Sequence, residues 1–132
     1  MHQRSRVRDP LTGEQRPISN TLKDLAELSL RHDIPDTTWA WGAGLSYSFN
    51  SRDYRLSEVG RLWEGPVWDE WFIENKDVAG MTARLGVTNL IGARSMWQRR
   101  VYEDWRTGPL AYYEDRDRRI GPIFQFSLSG KF

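Results

Sequence analysis

The chain has no cysteine and only two histidines, His2 and His32, among its 132 residues. This excludes thiol catalysis, disulfide frameworks and Cys-based zinc sites together, and leaves little nitrogen for any metal. It also lacks an excess of charge of either sign: 19 basic residues against 18 acidic ones leave +1, so no overall field draws nucleic acid to it. No run of about 18 apolar residues occurs, which excludes a membrane-crossing helix. A membrane-crossing strand is not excluded, because such a strand is apolar only at alternate positions and its averaged hydropathy stays low. The mean hydropathy of −0.69 is therefore silent on that point. The opening "MHQRSRVRDP" has basic residues with no apolar stretch behind them, so no secretory signal is expected in it.

What the chain does have is aromatic residues: seven Trp, five Tyr and five Phe. Such a load in so polar a sequence points to an amphipathic surface at an interface or to Trp-rich packing. Sixteen of the basic residues are Arg.

The dominant pattern is period two, the signature of strands. Over "WAWGAGLSYSF" the residues Trp39, Trp41, Ala43, Leu45, Tyr47 and Phe49 fall on one face, and Ala40, Gly42, Gly44, Ser46 and Ser48 on the other. A preceding strand is expected from about Asp24. It joins the first across a type I turn centred on Pro35 and Asp36, which sets Leu30 against Trp41, Leu28 against Ala43 and Ala26 against Leu45. A second hairpin is expected to close through a three-residue loop, Val78 to Gly80. Its register pairs Ile73 with Leu85, Trp71 with Val87 and Val67 with Ile91 on the apolar face. On the polar face it pairs Glu74 with Arg84, Glu70 with Thr88 and Phe72 with Gly86. The polar stretches 50–66 and 95–119 read as long loops, and a last strand carries Phe124, Phe126, Leu128 and Phe132 on one side. The fold class expected is all-β, an antiparallel up-and-down meander. Alternating strands joined by short turns at one end and long loops at the other describe part of a transmembrane β-barrel. A small complete barrel or a soluble β-sheet binding protein shares that alternation and is the alternative. Small and polar residues on the inner positions suit a wet lumen better than a packed core, which favours the membrane.

The segments "YRLSEVGRLWEGP", "NKDVAGMTARLGVTNLIGARS" and "YEDRDRRIGPIFQFSLSGKF" resemble the C-terminal end of TonB-dependent outer-membrane receptors, in particular an alphaproteobacterial-type subgroup. The likeness runs from about Arg6 to Phe132 and is most specific at Lys76-Asp77, at Asn89-Leu90 and in the closing stretch. The resemblance implies residence in the cell outer membrane and active transport of a scarce ligand such as an iron chelate, a vitamin or a saccharide. It also implies that this chain supplies roughly the last five to seven strands of the barrel. The plug domain and N-terminal strands would lie outside it, so the fragment would not transport alone and would meet TonB only through the missing plug. The implied partners are the rest of the barrel and its plug, outer-membrane lipid and the barrel-assembly machinery. No nucleic acid partner, enzyme activity or cofactor is implied. A terminal Phe on an alternating strand is what such proteins present for assembly. Here Gly121, Phe124, Phe126 and Phe132 are the matching residues, with Ser127 standing where the terminal octet would have Gly.

In a receptor the long loops would face outward. Arg55, Arg61, Trp63, Arg99, Arg100, Trp105, Arg106, Tyr112 and Tyr113 populate them and suit contact with anionic or ring-bearing ligands, since guanidinium groups pair with anions and stack on aromatic faces. The same arginines equally suit bridging anionic lipid or each other. The acidic residues Glu114, Asp115 and Asp117 could in principle converge on a hard cation, but Arg116, Arg118 and Arg119 are interleaved with them, so no metal is expected. Glu70 and Glu74 share a strand face at about 13 Å, too far apart for paired-acid glycoside cleavage. His32 has no hydroxyl and carboxylate partners in sequence and reads as a residue near a turn.

Overall fold

Alternation of apolar and small polar side chains cannot satisfy a helix, whose neighbours on one face recur every three or four residues. The computed structural model, which describes residues 1–130, accordingly contains strands and no helix among the described residues. The strands pair antiparallel. In chain order the strands are β1 (Val7–Arg8), β2 (Gln15–Arg16), β3 (Leu22–Asp33), β4 (Trp39–Asn50), β5 (Asp53–Tyr54) and β6 (Glu58–Gly65). They continue with β7 (Val67–Val78), β8 (Met81–Thr88), β9 (Arg94–Tyr102), β10 (Leu110–Arg119) and β11 (Ile123–Ser129).

The chain divides into two compact units. One holds Met1–Ala26, Tyr47–Pro66 and Arg94–Arg119, and the other holds Glu27–Ser46, Val67–Ala93 and the chain from Ile120 onward. In the first, β1 and β2 form a two-stranded ribbon, and β5, β6, β9 and β10 lie in that order in a four-stranded sheet. A five-stranded sheet has the order β3-β4-β7-β8-β11. Within each of these larger sheets the spatial order is the chain order, as in an up-and-down meander, and neither sheet closes into a barrel. The chain leaves one sheet for the other at Ser51–Arg52, at Pro66, at Asn89–Ala93 and at Ile120–Pro122. Pro66 brings no N–H to a ladder, and Asn89, Gly92 and Gly121 adopt left-handed φ of 63°, 93° and 75° that no regular strand contains.

Several expectations are corrected by these pairings. The stretches 50–66 and 95–119 are largely strand: β6 pairs with β9 from Glu58↔Val101 to Gly65↔Arg94, and β9 pairs with β10 from Tyr102↔Leu110 to Arg94↔Arg119. Charged and polar side chains stand on both faces of these strands, so no apolar stripe announces them. The β3–β4 loop spans four residues, Pro35 to Thr38: the Ile34 N–H donates to the Trp39 carbonyl at 3.0 Å, and Asp36 takes a left-handed φ of 58°. His32 rather than Leu30 therefore stands against Trp41, with ring centroids 5.7 Å apart. A slip of two residues preserves the pleat, so each side chain keeps its expected face.

The β7–β8 register has Glu70↔Thr88, Trp71↔Val87, Phe72↔Gly86, Ile73↔Leu85 and Glu74↔Arg84, all as expected. Its closure differs. Ala79 and Gly80 form a two-residue turn with φ of 55° and 79°, and one extra β7 residue is absorbed by a bulge between Asn75 and Val78. Two residues of turn plus one of bulge hold the same register as the three-residue loop. The expected partnership of Val67 with Ile91 does not form, because the ladder between β7 and β8 ends at Glu70↔Thr88 and the chain turns at Asn89.

Apolar side chains of the five-stranded sheet face outward. Register places Trp71, Val87 and Phe124 in one row across three strands and Ile73, Leu85 and Phe126 in the next. Phe124 and Phe126 are 70% and 71% exposed, whereas among the described residues the only buried apolar side chains are Ala40 and Ala93.

Candidate functional site

The four-stranded sheet carries the arginine and aromatic residues singled out above, and it separates them. Arg55, in the β5–β6 turn, pairs with Asp53 at 3.0 Å and Glu58 at 2.8 Å. Arg99 in β9 reaches Glu114 at 2.7 Å and Glu58 at 3.5 Å. The hydrogen bond from Arg99 holds the Glu114 carboxyl below its ordinary pKa, and the same bond raises the Arg99 guanidinium. Both cations are thus occupied within the sheet. Trp105 lies exposed in the β9–β10 turn, and Tyr112 and Tyr113 are about half exposed on β10.

Arg61 is placed differently. On β6 it shares a face with Trp63, and its guanidinium lies 4.3 Å from the Phe49 ring centroid and 5.4 Å from that of Trp63. Phe49 and Trp63 meet edge to face at 6.3 Å. This stack fixes a cation without an anion: the Arg61 Nε is buried and has no hydrogen-bond partner among the described residues. Arg61, Arg99, Arg100 and Tyr113 line one small cavity together with Arg52 and Gln98. Of the nine candidate ligand contacts, Arg61, Arg100 and Tyr113 meet here on one face of the sheet, while register turns Arg99 to the other face with Glu58 and Glu114.

Arg106 serves a centre not singled out in sequence. Asp9, whose side chain is 1% exposed, receives Arg106 at 2.7 Å and Arg16 at 2.5 Å. Its other oxygen accepts the backbone N–H groups of Leu11 at 2.9 Å and Thr12 at 3.2 Å. Burial raises the carboxyl, but the hydrogen bonds from Arg106, Arg16, Leu11 and Thr12 outweigh it and hold the group well below the usual carboxylate range. The centre ties the β1–β2 turn to the segment after β9. Its local half was visible in "DPLTG", since Asp followed by Pro and Gly is an Asx-turn pattern; the Arg106 half needs residues 97 positions apart to meet.

On the polar face of the five-stranded sheet, the Phe72 ring lies over Gly42. Phe72 pairs with Gly86, and a Cβ at Gly42 would lie 2.3 Å from its ring. Arg84 and Arg31 stack on the ring at 3.7 Å and 5.6 Å, and pair with Glu70 at 2.9 Å and Glu74 at 2.6 Å. Glu70 and Glu74 are thus spent on arginines. At the end of β8 stands a buried polar corner. Asp69 accepts the N–H groups of Leu90 (3.0 Å) and Ile91 (2.9 Å) and the Trp71 indole (2.8 Å), while the Asn89 amide donates to the carbonyls of Gly121 (2.9 Å) and Ala93 (3.2 Å). Gly121 of the expected assembly signal is therefore a turn residue bound to Asn89, Phe124 and Phe126 stand on the exposed apolar face, and Phe132 lies outside the described residues.

Glu114 binds Arg99 and Arg116, and Asp117 binds Arg94. No group of three His, Asp or Glu side chains among the described residues is placed to hold a metal ion. No family model matches the chain, and no curated protein or solved structure matches it either.

Proposed function

We propose that this chain is a piece of the wall of an outer-membrane β-barrel, the C-terminal strands of a TonB-dependent receptor, and that its work is done in that larger protein: active uptake of a scarce ligand such as an iron chelate, a vitamin or a saccharide. The observation that carries the reading is the inverted distribution of apolar side chains. Rows running Trp71-Val87-Phe124 and Ile73-Leu85-Phe126 lie on one exposed face of the five-stranded sheet, and among the described residues the only buried apolar side chains are Ala40 and Ala93. In water each exposed large side chain forgoes about 1.5–3 kcal/mol of burial; against lipid that same face is the stable one. The opposite face carries Phe72 with its arginines, Ser127, Gln125 and Thr88, as a water-filled lumen would require. Among the described residues β11 and the Glu27–Asp33 part of β3 pair on one side only, which leaves edges for the remaining strands of a barrel. The four-stranded sheet has charged side chains on both faces and belongs outside the lipid. The resemblance of the closing segments to TonB-dependent receptors supplies the class of barrel.

The test is the state of the isolated chain. It is expected to aggregate in buffer and to dissolve as a β-rich species in detergent. In vesicles with brominated acyl chains, part of its tryptophan fluorescence, from Trp41 and Trp71, is expected to be quenched. A monomeric, cooperatively melting protein in plain buffer would overturn the reading. An in-frame plug domain upstream of Met1 is also expected, and an isolated gene with its own promoter counts against it.

A further inference from the structure

The small cavity on the four-stranded sheet has the composition of an anion site. It has a volume of about 50 Å³, room for a few waters or one small anion, and four of its lining residues are arginines. Arg99 is neutralised by Glu114 and Glu58. Arg52, Arg61 and Arg100 make no ion pair among the described residues. Asp115, which stands opposite Gln98 in the β9–β10 ladder, accepts from Gln98 at 3.4 Å and from the Tyr113 hydroxyl at 3.3 Å. Arg61 has its buried Nε unmet while Phe49 and Trp63 hold its guanidinium from the other side. A buried donor left unpaired costs about 1–3 kcal/mol, more when the group is charged.

We infer that the cavity lined by Arg52, Arg61 and Arg100, with Gln98 and Tyr113 at its side, binds an oxyanion of the phosphate class. Three unneutralised guanidinium groups converge there, each able to present two parallel N–H donors to tetrahedral oxygens. The second N–H of the Gln98 amide adds a neutral donor, while the Tyr113 hydroxyl is engaged with Asp115. Burial, with the charge of Arg52 second, pushes the Arg61 guanidinium below its ordinary pKa, the strain that an anion seated between them would relieve. The site lies in one unit of the chain and does not rest on the membrane reading. The phosphate can be free in solution or carried on a lipid headgroup.

The experiment uses the full chain, refolded in a nonionic detergent, and inorganic phosphate as the probe at constant ionic strength. Saturable binding followed by tryptophan fluorescence is expected, together with a rise in melting temperature that chloride does not produce. Arg61→Gln and Arg100→Gln are each expected to weaken binding at least tenfold, and Arg94→Gln, which removes one positive charge from an ion pair elsewhere, to leave it unchanged. Arg52→Gln guards against loss of folding, because Arg52 is exposed: it is expected to leave the phosphate-free melting temperature unchanged or higher while weakening binding. A second arm uses phosphatidylcholine vesicles containing either phosphatidic acid or a fatty carboxylate. Binding to phosphatidic acid alone that requires Arg61, without binding of inorganic phosphate, upholds the site and identifies a headgroup as its occupant. Absence of saturable binding in both arms, or an equal loss in Arg94→Gln, overturns the inference.

Discussion

Replacement of Asp69 by alanine is expected to unfasten the corner where β8 gives way to β9. The carboxylate is 2% exposed and receives three donors: the backbone N–H groups of Leu90 and Ile91 and the indole of Trp71. A hydrogen bond to a charged group contributes about 1.5–3 kcal/mol, and a neutral one about 1. Water reaches part of the vacated space, since Leu90 and Ile91 are themselves 54% and 64% exposed, so the sum falls toward the lower bound. A loss of about 3–5 kcal/mol follows. With a urea slope of about 2 kcal/mol per molar, the unfolding midpoint in detergent drops by about 2 M. Asp69→Asn separates hydrogen bonding from packing. Its carbonyl oxygen can keep Leu90 and Trp71, which share one carboxylate oxygen, but its amide then faces the Ile91 N–H donor to donor. An intermediate loss of about 1–3 kcal/mol is expected. Trp71 fluorescence reports the transition directly. Midpoints of both variants within about 0.3 M of the parent, or an asparagine variant as unstable as the alanine one, would refute the reasoning.

Three further outcomes are expected. Gly42→Ala places a methyl 2.3 Å from the Phe72 ring and 2.7 Å from the Leu30 carbonyl oxygen, so Phe72 must swing off Gly42 and the adjoining backbone must shift; overpacking of this kind costs about 1–3 kcal/mol, measured by the same urea titration. Phe126→Arg leaves the chain in detergent folded but opposes its insertion into vesicles by about 2–4 kcal/mol if the side chain sits near the bilayer midplane, read as the partition between floated and pelleted material after sucrose flotation. The Asp9 centre makes stability depend on pH. Because the folded carboxyl titrates below its unfolded value, its contribution is complete above the unfolded pKa of about 4 and is lost as pH falls through the depressed folded value. Proton uptake on unfolding between about pH 4 and 2 is therefore expected, and Arg106→Gln is expected to reduce it.

The part of the fold legible in sequence was the part with an apolar stripe. Trp39 to Phe49 and Trp71 to Val87 declared strand, face and, for β7–β8, register, because a one-residue error would have put Ile73 and Leu85 among the glutamates. The β6, β9 and β10 strands were hidden because they alternate charge with charge or with isolated aromatics, so the same backbone period left no contrast of hydropathy. Turn details were hidden for another reason: a four-residue loop and a two-residue loop keep the same faces, and a bulge with a two-residue turn holds the same register as a three-residue loop. Among the candidate contacts, residue type marked Arg61 and Arg100 as cations but gave no sign that they remain unpaired while Arg55, Arg99 and Arg106 are spent on Glu58, Glu114 and Asp9.

By itself the sequence determined the class of structure where its two-residue alternation is strict: from Trp39 to Phe49 and from Trp71 to Val87 it specified strands with one apolar face. Tertiary structure decided which charges find partners. That choice depends on side chains meeting across as many as 97 positions of chain, as Arg106 meets Asp9, while the Arg61 Nε meets no partner among the described residues. Alternation is a local property of the backbone, and ion pairing is a property of register between strands; the first is written in every dipeptide, and the second exists only once the sheet has formed.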